Sequence, residues 1–157
     1  MKLQQFLIFL CSAVLLACSN NKETATAPLL PPPPDLYWDR ETKTGSSQRG
    51  EFASLSTPIG RYQFKLYRTI GERWVEKLKE PSVASTLIVD RLLVRFHVQP
   101  NGALGEIEAV KGELNSVLGH ITGESFEKAS KAIGSFDSTL LKNYPNGFVW
   151  EICFRIY

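Results

Sequence analysis

The last ten residues constrain the fold more than any other segment. In 148–157, Phe148, Trp150, Ile152, Phe154 and Ile156 alternate with Val149, Glu151, Cys153, Arg155 and Tyr157. An extended chain sends alternate side chains to opposite faces, so five large apolar groups line one side of a strand. Such a face is stable only beneath a covering layer. Thr57 followed by Pro58 reads as an N-cap with proline at the first helical position, where its missing N–H costs nothing. Ile59, Tyr62, Leu66, Ile70, Trp74 and Leu78 then recur every three or four residues as the apolar stripe of a long helix. Lys77 and Lys79 suit its last turn and Pro81 stops it. Gly71 costs that helix about 1 kcal/mol relative to alanine, which the length of the stripe absorbs.

Between these elements the period changes to two. Leu92, Val94, Phe96 and Val98 alternate with Arg91, Leu93, Arg95, His97 and Gln99, a strand with one buried face. Pro100, Asn101 and Gly102 signal a turn, so residues 104–111 are expected to return as the hairpin partner. A second helix is expected over 122–133, with Phe126, Ala129 and Ile133 on one side and Gly134 ending it. Glu124–Lys128 and Glu127–Lys131 are i,i+4 pairs in the favourable order. The order helix, hairpin, helix, strand predicts an α+β domain over 57–157. Its expected form is a three-stranded antiparallel sheet with two helices on one face.

What precedes this domain concerns location. After Met1 and Lys2, residues 6–17 are apolar except for Ser12. That length suits a secretory signal rather than a membrane-spanning helix, which needs roughly 20 residues. The stretch ends Leu15, Leu16, Ala17, Cys18 and resembles the lipobox of bacterial lipoproteins. The resemblance implies cleavage of a signal peptide, 1–17, and lipidation of the Cys18 thiol. Acyl chains buried at about 0.8 kcal/mol per CH₂ would hold the domain to a membrane. Ser19, rather than aspartate, follows the cysteine, which by resemblance to enterobacterial sorting favours the outer membrane. The expected location is the bacterial cell envelope, with the domain in the periplasm.

Residues 18–56 read as a lipidated, flexible, proline-rich tether. Pro28 and the run 31–34 predict a stiff polyproline II rod of about 20 Å. Tyr37 and Trp38 are expected to dock on the domain or the interface.

The helix containing residues 67–74, the hairpin 93–102, the second helix, Tyr144–Pro145 and a terminal strand ending in Phe154 resemble the C-terminal domain of the TonB and TolA energy transducers. That family implies a periplasmic domain without catalytic residues, which binds other envelope proteins, often by pairing a sheet edge with a partner strand. The chain departs from it in having a lipobox and a short spacer in place of a motor-contacting helix and a long periplasmic span. Energy transduction is therefore not expected, and the domain reads as a docking module.

The expected partner-binding residues lie on the face left bare by the helices: Leu93, Arg95 and His97 from the hairpin, and Val149, Glu151, Arg155 and Tyr157 from the last strand. Strand addition at an open edge is the other expected mode. The alternative is a structural or self-associating lipoprotein, which leaves a homodimer open. A net charge of +2 over 157 residues gives no argument for nucleic acid. Cys11, Cys18 and Cys153 form neither a disulfide framework nor a zinc pattern. His97 and Cys153 share a face without a third ligand, so no metal or other cofactor is expected. No nucleophile elbow or phosphate-binding glycine loop occurs, and an enzyme is not expected.

Overall fold

In the computed structural model, residues 26–31, 35–47 and 54–157 are described; the expected signal peptide, 1–17, Cys18 and Pro32–Pro34 lie outside them. Local capping starts every long helix. Helix α1 (Pro58–Leu78) opens on Thr57, whose hydroxyl accepts the Gly60 N–H at 3.1 Å. A short α2 (Pro81–Ala84) follows. Helix α3 (Val117–Ile133) begins five residues before the expected start, because the Ser116 hydroxyl accepts the Gly119 N–H at 3.0 Å. Asp137 caps a helix not expected from the sequence, α4 (Ser138–Asn143), through the Leu140 N–H at 2.8 Å.

The fold is α+β. The predicted strands are present as β3 (Asp90–Val98), β4 (Glu108–Lys111) and β5 (Phe148–Ile156), with β5 and β4 antiparallel to β3 on either side. Gly102, at φ 85°, makes the hairpin turn. The return strand is shorter than expected. Only Leu104 bridges Val98 before the chain leaves the ladder, and its N–H is drawn to the Ser130 hydroxyl of α3 at 3.0 Å.

The sheet itself differs from the expectation of three antiparallel strands. It has five, in the order β2-β1-β5-β3-β4. The two additional strands, β1 (Leu36–Asp39) and β2 (Thr44–Ser47), come from the segment expected to be tether. β1 runs parallel to β5, with Leu36 opposite Phe154 and Trp38 opposite Ile156. The reason is apolar burial: Leu36 and Trp38 point into the core at 5% and 1% exposure. The domain boundary therefore falls upstream of residue 57.

α1 and α3 cover one face. Trp74 meets Phe154 at a ring distance of 5.3 Å, and Phe126 meets Phe96 at 4.6 Å. Trp38, Trp74 and Trp150 are all essentially buried. Gly71 has a specific role in this layer: a Cβ there would stand 3.1 Å from Leu36 Cδ2, so the glycine lets β1 approach the helix. Tyr62 donates its hydroxyl to the Gly134 carbonyl at 3.1 Å, and burial pushes its pKa up to about 12.

Candidate functional site

The register of β3 against β5 places Leu93 opposite Cys153, Arg95 opposite Glu151 and His97 opposite Val149. Six of the seven residues expected to contact a partner, Leu93, Arg95, His97, Val149, Glu151 and Arg155, are half-buried on the face away from the helices, and Tyr157 is exposed beside them. The face is brought together as the alternation predicts.

Its charges are compensated within the chain. The Arg95 guanidinium donates to Glu151 through Nε at 2.9 Å and Nη2 at 2.7 Å, and its Nη1 lies 3.9 Å from Glu108. Arg155 pairs with Asp35 and donates to the Tyr157 hydroxyl at 3.2 Å. His97 donates from Nε2 to the Asn146 carbonyl at 2.7 Å. Cys153 is buried, and Arg91 Nε donates to its sulfur at 3.2 Å. Among the described residues no three His, Cys, Asp or Glu side chains converge.

The edge of β5 is paired near both of its ends by residues upstream of α1. The Val149 N–H donates to the Pro28 carbonyl at 2.8 Å, and the Leu30 N–H returns to Val149 at 2.9 Å. The Trp150 indole N–H reaches the Pro31 carbonyl at 2.7 Å. Further along, the Tyr157 N–H donates to Trp38 at 2.9 Å, and the Arg40 N–H to Tyr157 at 3.1 Å. Residues 28–31 therefore lie along β5 rather than standing off it as a spacer rod. Tyr37 packs edge-to-face on Tyr157 at 6.0 Å, so the aromatic pair docks on the domain. Proline suits this strap because it fixes an extended backbone and can sit where no ladder donor is required.

The strand edges left at the sheet margins are β2 and the four-residue β4. β4 carries Glu108 and Lys111 and is short, both of which discourage pairing with another chain. At the start of β5 a shallow concavity of about 640 Å³ opens between Thr26, Ala27, His97, Gln99, Asn146 and Val149. The sequence offered no sign that the tether would form its wall. No protein family, curated protein or solved structure matches this chain.

Proposed function

We propose that the chain is an envelope lipoprotein, anchored through Cys18, whose domain binds another envelope protein through the sheet face opposite the helices. The observation that carries this reading is the pairing of β5 with residues 28–30 and 36–38, which leaves the face, rather than the two ends of that edge, for a partner. Leu93, Val149 and Tyr157 supply apolar area on that face, and Arg95 with Glu151 supplies fixed polarity. A three-stranded core with two helices on one face, as in TonB-like domains, remains our interpretation of β3, β4 and β5. β1 and β2 are then additions that replace the incoming strand of a partner. The periplasm, with the outer membrane favoured, is the proposed location.

The internal compensation of Arg95 and Arg155 favours a second reading, a structural or self-associating lipoprotein whose face needs no partner. Photo-crosslinking in the native cells, with the reactive side chain placed at Leu93 or Val149, separates the two. A specific envelope protein captured from both positions, but not from Val110 on β4, supports docking through the face. Crosslinks only between copies of the chain support the second reading. Charge reversal at Arg155 is a poor probe, because it also breaks the contact with Asp35 that helps hold the strap.

A further inference from the structure

We propose that the end of the domain at which the chain enters the sheet is a binding surface for anionic phospholipid headgroups. That end is built from the start of α1, the end of α3, α4, the turn after β3 and the turn before β5. These pieces are locked together: Lys65 Nζ donates to the Ile133 carbonyl at 2.7 Å, and the Phe136 N–H donates to Pro100 at 2.8 Å. The rings of Tyr62 and Phe136 meet at 4.9 Å. The strap joins the sheet at the same end, where Pro28 and Leu30 bond Val149.

Cations exceed carboxylates at this end, whereas at the other Asp39, Glu41, Glu80, Asp90 and Glu113 offset Arg40, Lys43, Lys79, Arg91 and Lys111. Arg61, Lys65, Lys128, Lys131 and Lys142 are all exposed here. Of the carboxylates at this end, Glu127 pairs with Lys131 at 2.7 Å, Asp137 accepts the Leu140 N–H at the cap of α4, and Glu106 lines a cavity with Lys131, so five cations stand against three carboxylates. Along the rest of α1 the cations are neutralised in place. Arg68 pairs with Glu72, Arg73 with Glu76, and Lys77 with both Glu80 and Glu124. Exposed apolar side chains lie among these cations, Leu29 at 58%, Leu55 at 52% and Leu141 at 49% exposure; the other end also exposes Ile88 and Val89, but without an excess of cations. Cations interspersed with apolar groups match a bilayer interface, where lysines reach phosphates and leucines enter the headgroup boundary. Under the anchoring reading the bilayer, rather than an acidic protein, is the surface held nearest to this end.

The proposal rests on the anchoring reading. Cys18 precedes Thr26 by eight residues, so this end can stand no farther than about 28 Å from the anchor. The test uses the full chain, reconstituted on phosphatidylcholine vesicles with and without phosphatidylglycerol, and reads the reactivity of each lysine with an amine-specific reagent by mass spectrometry. We expect Lys128, Lys131 and Lys142 to react roughly five-fold more slowly when phosphatidylglycerol is present at low salt. High salt should restore them. Lys43, Lys79 and Lys111, at the other end, should not change. Lys128→Glu with Lys142→Glu should remove the protection of Lys131. Equal lysine reactivity on both vesicles, or protection at the other end, overturns the proposal. Flotation with pure phosphatidylcholine vesicles at high salt reports the anchor alone. Loss of that flotation with lysine protection intact therefore refutes the anchor and keeps the surface, whereas flotation without lysine protection does the reverse.

Discussion

β5 has two neighbours of different kinds. On one flank, β3 pairs with it along nine residues in an unbroken antiparallel register, from Asp90 opposite Ile156 to Val98 opposite Phe148. On the other flank, a parallel strap touches it at Leu29 and again from Leu36 to Trp38. The first flank is specified twice, because both strands alternate and any one-residue slip would turn their apolar groups to solvent. The second is specified once, by Leu36 and Trp38 entering the core under a helix that has a glycine where they arrive. One strand is thus held by a strong continuous ladder and a shorter, side-chain-anchored one.

The largest expected effect comes from a residue shared by both flanks. Phe154 is fully buried, lies opposite Leu36 and Leu92, and touches Trp74 and Phe126. Phe154→Ala should lower stability by about 3–5 kcal/mol in denaturant titrations and unfold the whole domain in one transition.

Trp38→Ala tests the weaker flank alone. Its cost should be limited to the free energy that holds the strap, about 2–3 kcal/mol, since the rest of the sheet can persist after the strap detaches. Hydrogen exchange should quicken at the Arg40 and Tyr157 amides, which bond across this flank, while the β3–β5 amides stay protected. Uniform loss of protection would make the strap an inseparable part of the fold.

The smallest effect carries a change of sign. In the intact chain Gly71→Ala should be neutral or destabilising by up to about 1 kcal/mol, because its Cβ crowds Leu36. In a Leu36→Ala chain the same substitution should stabilise by about 1 kcal/mol, as helix propensity then acts unopposed. Additive effects would mean that the glycine does not accommodate β1.

These contrasts follow what could be read from the residues. α1 was legible at both ends because Thr57, Pro58 and Pro81 are local signals. β3 and β5 were legible because their alternation runs over nine residues. β1 was not, since two alternating apolar residues are too few for a period and its partner lies more than a hundred residues away. The start of α3 escaped because Gly119 and Gly123 dilute the helical stripe, although Ser116 was a usable cap. On the face away from the helices, the alternation grouped the seven expected residues but gave neither their pairing nor Tyr37, which β1 adds beside Tyr157. The hairpin register does set Arg95 opposite Glu108, at 3.9 Å, but the closer partner is Glu151, which the register of β5 supplies. Likewise Glu124 leaves its i,i+4 neighbour for Lys77 of α1, a choice made by helix packing and invisible along the chain.

If the chain is anchored as proposed, the strap also changes how often the domain meets its neighbours. Under the proposed anchoring at Cys18, a tether extending to Ser56 would let the domain range over a radius of roughly 130 Å at full extension. Seating of the strap from Thr26 onward cuts that radius to about 28 Å. The volume explored falls about a hundred-fold, and the effective concentration towards a neighbour within that short radius rises by the same factor. A few backbone hydrogen bonds along β5 thereby exchange long reach for frequent encounter with whatever lies beside the anchor.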